Sequence, residues 1–119
     1  MSKLYFIQSG ENGPIKIGHS SDPDERLASL QVGNPQHLRL LAAVEFGSDA
    51  AAQEQLCHRT FRVEHIRGEW FQPSHLLIGT IYCMKNEIPF SVVPDSEILI
   101  DGRDATVEQL DAIRAEMSR

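Results

Sequence analysis

The chain opens with a pattern that leaves little choice of local structure. An apolar and aromatic run covers residues 3 to 8, a cluster of turn formers follows at Ser9-Gly10-Glu11-Asn12-Gly13-Pro14, and Ile15-Lys16-Ile17 then alternates. Alternation with period two sends neighbouring side chains to opposite faces, and glycine, asparagine and proline between two such runs reverse the chain. Two antiparallel strands are expected. A lone hairpin is marginal in water, so the rest of the chain must cover its apolar faces.

Stop and start signals divide that remainder. Asp22 as N-cap, Pro23 at the first helical position and Glu25 three residues on form a capping box, and the helix they start should end near Gly33-Asn34-Pro35. Residues 38 to 46 read as a third strand, buried on both sides in its middle. Gly47-Ser48-Asp49 is expected to cap a second helix over about 50 to 62, and Pro73-Ser74 to open a third over 73 to 86 with Leu76, Leu77, Ile81 and Met84 on its apolar side. Strand-like Phe90-Ser91-Val92-Val93 and Ile98-Leu99-Ile100 could form a hairpin or a sheet edge. Thr106-x-x-Gln109 then leads a short helix with Val107, Leu110 and Ile113 inward.

At 119 residues the chain fits one domain, read as a body over 1–89 with an acidic extension over 90–119 packed on it. It shows no apolar stretch of membrane-spanning length and no secretory leader, so a cytoplasmic location is expected. Cys57 and Cys83 lack the spacing of a disulfide scaffold or zinc knuckle and read as reduced, buried thiols. The net charge of −6 opposes a whole-surface attraction to nucleic acid. The acidity is concentrated beyond residue 86, however, where eight Asp and Glu face Arg103, Arg114 and Arg119, and the earlier part is close to balanced. A local basic patch from Lys3, Lys16, Arg26, Arg39, Arg59, Arg62 and Arg67 is therefore compatible with the composition.

Charged side chains stand on faces that ought to be apolar. On the second helix Ala50, Ala51, Glu54, Cys57, His58 and Phe61 share one stripe by helical spacing, which puts a carboxylate and an imidazole toward the core. A buried glutamate needs a raised pKa, a paired cation or a bound metal; alternatively the stripe is rotated and Glu54 lies at its solvent rim, paired with His58. Arg26 borders a buried face one turn before Leu30, where its head either finds an anion or stays wet above its stem. Tyr5 and Lys16 lie on paired strands and reach one face if the register allows.

Taken together, Tyr5-Phe6-Ile7, Ile15-Lys16-Ile17-Gly18, Arg26 and Glu54 resemble the GIY-YIG nuclease superfamily. Lys16-Ile17-Gly18, Asp22-Pro23-x-x-Arg26-Leu27, Asn34-Pro35, Glu54-x-x-x-His58-x-x-Phe61 and Gly68-Glu69-Trp70-Phe71 look like its phage-type, DNA-binding branch, over about residues 3 to 86. The resemblance implies an α/β (α+β) fold, with a three-stranded antiparallel sheet flanked by helices and a C-terminal strand and helix extension. It also implies DNA as partner and a phosphodiester as substrate. Glu54 would hold one Mg2+ (or Mn2+) that clamps a non-bridging oxygen and the leaving 3′-oxygen. Arg26 would bind the scissile phosphate, Tyr5 would position or deprotonate the attacking water, and His58 would support Glu54 or act on the phosphate.

Lys16 stands where the superfamily has a tyrosine. Phenol and ammonium both have reference pKa values near 10, so neither is a ready base at pH 7, but a fixed lysine can face the charge developing on phosphorus. The same residue suits a non-catalytic module that only grips DNA or docks a protein through the acidic extension, and a tail that covers the cleft is a third option. Glu69 is expected beside the site, bonding backbone or buttressing Arg26, with His19 within reach of the same cleft. Trp70 and Phe71 read as core anchors, and His37, His65 and His75 as solvated loop residues. A zinc site from Cys57, His58, His65 and Cys83 is disfavoured by spacing. The strands beyond residue 90 offer a homodimer edge.

Overall fold

The structure is a computed structural model that describes residues 2–94 and 96–118. The opening hairpin is β1 (Ser2–Ser9) and β2 (Ile15–Ser20), paired with Tyr5 opposite Gly18 and Ile7 opposite Lys16. Helix α1 (Pro23–Gln31) follows, started by the Asp22 carboxylate, which accepts from the Glu25 N–H at 3.1 Å. Strand β3 (Leu38–Gly47) then returns antiparallel on the other edge of β1. The next helix, α2 (Ala50–Thr60), runs into a 3-10 turn over Arg62–Glu64. Two short strands, β4 (His65–Arg67) and β5 (Trp70–Phe71), complete a five-stranded sheet in the order β3-β1-β2-β5-β4.

The mixed α/β class is as expected, but the sheet is wider than the three strands implied. Strands β4 and β5 have only three and two residues, too short for an alternation to register in sequence. Their reversal at Gly68, with φ +57°, brings the residue before Trp70 back along the β2 edge.

Five consecutive residues of β1, Leu4 to Gln8, are buried because β1 is central and both faces of the sheet are covered. Tyr5 and Ile7 meet Leu27 and Leu30 of α1, with Leu38, Leu40 and Trp70. Leu4 and Phe6 join Ile15, Ile17, Phe71 and the apolar sides of α2 and of α3 (His75–Lys85). Gln8 is buried without loss, since its Nε2 donates to Gly13 O and its Oε1 accepts from Arg39.

Beyond residue 89 a second sheet, β6 (Phe90–Val93), β7 (Glu97–Ile100) and β8 (Arg103–Asp104), leads to α4 (Val107–Met117). Ile98, Ile100, Ile113 and Met117 belong to the same core as Leu4 and Phe6. Val107, expected inward, is 68% exposed: the Thr106 cap on the Gln109 N–H sets the helix phase so that Ile113 and Met117 face α3 instead. Ala51 is likewise exposed, and Asp49 makes no side-chain cap. Among the described residues no helix is long and apolar enough to cross a membrane.

On the outer sheet, hydrogen bonding with Asp104 and the repulsion of its charge push the exposed Glu97 carboxyl above the usual 4.5. A carboxyl raised in the folded state favours folding at low pH, and that contribution fades as pH rises through its shifted value. Asp104→Asn should return Glu97 to the ordinary range in a carbon-detected NMR titration; an unmoved Glu97 would mean that the pair does not interact.

Candidate functional site

The site lies where pairing along β2 stops. Strand β5 pairs with Ile15 and Lys16 only, after which the Ile17 N–H donates to Glu69 O at 2.9 Å and the strand edge is open. The Ile17 carbonyl on that edge is met by a side chain, His58 Nε2 at 3.0 Å, with the His58 ring against Phe71 at 5.0 Å. Side chains from both faces of the sheet converge around this edge: Glu54 and His58 from α2, Lys16 from the α1 face, and Glu69 from the β4–β5 turn.

Glu54 is 5% exposed, so the core-facing alternative is the one realised. Its Oε1 lies 3.2 Å from His19 Nδ1, which places His19 at the site. Glu69 pairs with Lys16, Nζ to Oε1 at 2.8 Å, and not with Arg26. One donor atom each from Glu54, His58 and Glu69 fall within 4.8 Å of one another, and among the described residues this is the one such group. A buried carboxylate beside a second carboxylate and an imidazole is a donor set that suits a divalent cation. Burial alone pushes the Glu69 carboxyl up, but the hydrogen bond and charge of Lys16, with His58 and Glu54, outweigh it and hold Glu69 below 4.5.

Burial and then the Glu54 charge push the Cys57 thiol up to about 12, so it stays protonated at neutral pH, and Cys57 is not among the grouped donor atoms. The disfavoured zinc set is not assembled. His65 and His75 are exposed as expected, but neither lies in a loop: His65 is in β4 and bonds Gly68 O, and His75 opens α3 and bonds Asp111.

Tyr5 is buried over Gly18, where an added Cβ would fall 2.5 Å from the phenol oxygen. Glycine at position 18 is thus a steric requirement of the ring. Gly18→Ala should cost about 1–3 kcal/mol in urea unfolding by overpacking. A loss under about 0.5 kcal/mol would show that the ring has room to move. Lys16 is held over the Trp70 ring at 5.8 Å, so Trp70 is more than a core anchor.

Arg26 is exposed on α1 and lines a groove with Ser20, Ser21, Asp22, Glu25 and Ser29. Its groove contains none of the other candidate residues, although it begins one residue past His19. The expected basic patch is reduced. Lys16 is committed to Glu69, and Arg39 donates to Gln8 and to Met117 O, which leaves Arg26, Arg59, Arg62 and Arg67 as exposed cations, Arg62 also donating to Arg59 O.

A family model, the T5orf172 domain, matches residues 3–88. The chain belongs to the T5orf172 domain family. The resemblance to the GIY-YIG superfamily is corrected by that match, since T5orf172 is a distinct family and no GIY-YIG model matches. The short motifs behind the resemblance specify a tight hairpin with a glycine under a tyrosine, a steric arrangement that does not discriminate between families. T5orf172 domains are associated with phage-type nuclease and DNA-binding modules, a DNA-related function. No curated protein and no solved structure matches the chain. For this T5orf172 domain the roles of individual residues therefore rest on the geometry above.

Proposed function

We propose that this domain binds DNA and hydrolyses its phosphodiester backbone with one divalent cation. The observation that carries the reading is the convergence of Glu54, His58 and Glu69 beside Lys16 at the open edge of β2. Glu54, with Glu69 and His58, would hold Mg2+ or Mn2+, which when bound supplies Lewis-acid polarisation of a phosphoryl oxygen. His19 fixes the Glu54 carboxylate in place. The Lys16 ammonium, oriented by Trp70, faces the charge that develops on phosphorus. The Tyr5 hydroxyl, clamped by its buried ring over Gly18, orients the attacking water. Arg26 grips a phosphate in the groove next to His19, with Arg59 and Arg67 adding sequence-independent attraction.

The expected result is that purified full-length protein nicks supercoiled plasmid in Mn2+ or Mg2+ and not in EDTA. Binding of a labelled duplex should weaken with salt at a slope near −0.9 per phosphate contact, about −3 to −4 for the four exposed arginines of the patch. Salt-dependent binding without nicking by the folded protein would establish a non-catalytic DNA module. A flat salt dependence would remove DNA and leave docking on a protein partner.

A further inference from the structure

Both carboxylates of the site already have a basic group at hand from the protein itself. Lys16 Nζ sits on Glu69 Oε1 at 2.8 Å and His19 Nδ1 on Glu54 Oε1 at 3.2 Å. We infer that Glu54, His58 and Glu69 form a mixed carboxylate–imidazole centre for a borderline transition ion of the Mn2+ class, and that Lys16 is a placeholder which yields Glu69 to that ion. The inference rests on the metal-dependent reading above and adds to it the class of ion and a second state for Lys16.

The imidazole decides the class of ion. His58 Nε2 is engaged by the Ile17 carbonyl at 3.0 Å, so the neutral ring donates there and carries its lone pair on Nδ1. A backbone carbonyl holding the far nitrogen is the device by which metal-bound histidines are oriented and made more basic. The Phe71 ring, tilted 51° to it at 5.0 Å, braces the imidazole from the side. Magnesium prefers an all-oxygen octahedron with several waters, whereas an imidazole beside two carboxylates suits Mn2+ and the later divalent ions.

Charge decides the placeholder. Glu54 is nearly inaccessible to water, and its donor oxygen lies within 4.8 Å of that of Glu69, so two ionised carboxylates here repel unless a cation stands between or beside them. One ammonium on Glu69 offsets part of that repulsion and a dication offsets all of it. Lys16 and the ion compete for the same carboxylate, and the long lysine stem lets the ammonium leave without moving β2. The Trp70 face that it already lies over, 5.8 Å from the ring centroid, keeps the released ammonium at the edge where a phosphate would approach. Ion binding thus converts Lys16 from an internal ion pair into a free cation for the substrate.

The test is an electron paramagnetic resonance titration of Mn2+ alone into the full-length protein, with thermal melts to confirm that each variant is folded. Wild type should take up one Mn2+, with Mg2+ displacing it only at concentrations about tenfold or more higher. Glu69→Gln and His58→Gln should each weaken Mn2+ binding by about 10- to 100-fold. Lys16→Met, which keeps the stem over Trp70 and removes the competing charge, should tighten it; Lys16→Gln serves if the methionine variant is unstable. Mn2+ affinities within about twofold of wild type for both Glu69→Gln and His58→Gln would overturn the three-ligand centre. A Lys16 variant that binds Mn2+ no more tightly would overturn the placeholder. Plasmid nicking on the same samples separates the two readings. The full Mn2+ pattern without nicking supports the centre and sinks hydrolysis; nicking with unchanged Mn2+ affinity in the variants does the reverse.

Discussion

Glu54→Gln should abolish Mn2+-supported plasmid nicking, by at least about 10²- to 10³-fold, in a protein that still folds. The substitution keeps the shape of the side chain and its contact with His19 while removing the one negative charge that α2 brings to the open edge of β2. Because Glu54 is only 5% exposed, no water molecule can readily take over its role. A fold effect can be told apart from a charge effect through Cys57, whose thiol is held up at about 12 first by burial and then by the Glu54 charge. In the glutamine variant the thiol should react with an uncharged maleimide at lower pH than in wild type, although burial keeps it above a free cysteine. Nicking within about threefold of wild type, with the thiol shift present, would take the glutamate out of the mechanism.

Truncation after residue 89 should leave a chain that does not fold, even though the family match ends at residue 88. Ile98, Ile100, Ile113 and Met117 are each under a tenth exposed and lie in one core with Leu4, Phe6, Ile17 and Ile81. At about 1.5–3 kcal/mol for each fully buried aliphatic side chain, these four contribute on the order of 6–12 kcal/mol. Small domains have about 5–15 kcal/mol in all, so the loss is of the size of the whole stability. Polar ties fall with them: Arg39 to Met117 O at 3.1 Å, Arg114 to Pro73 O at 2.7 Å and His75 to Asp111 at 3.0 Å. The expected readout is loss of the cooperative thermal transition and a collapsed amide spectrum for residues 1–89. A dispersed spectrum with a sharp melt would show the extension to be dispensable. Gly79 supplies an independent check, because a Cβ there would press on Ile98 and Leu110 at 3.3 Å each. Gly79→Val should therefore loosen the extension in the full chain.

The elements with strong local chemistry were legible in the residues. Turn formers between two alternating runs specified the β1–β2 hairpin, and Asp22, Ser74 and Thr106 each accept the N–H three residues on, as caps do. The stripe on α2 allowed Glu54 either in the core or at a solvent rim, and the packing of α2 across the sheet buries it. Order along the chain could not say which cation Glu69 would choose. The sequence pointed to backbone or to Arg26, and it was the turn between β4 and β5, strands of three and two residues with weak pattern, that carried Glu69 along the β2 edge to Lys16. The same limit applies to the family. Short motifs of apolar residues, glycine and single charges encode a steric solution, and it was the match across residues 3–88 that separated T5orf172 from its look-alike.

What the sequence determined by itself is the set of elements and the odd residues among them: period two in the strands, caps at the helix starts, a carboxylate and an imidazole on an apolar helix face. Those are short-range properties, fixed by neighbours within about four positions. Tertiary structure decided the pairings. Lys16 with Glu69 spans 53 residues, His58 with the Ile17 carbonyl 41 and His19 with Glu54 35. Each depends on where the short β5 strand stops pairing with β2, which is set by the packing of the whole sheet against α1, α2 and α3 and has no local signature.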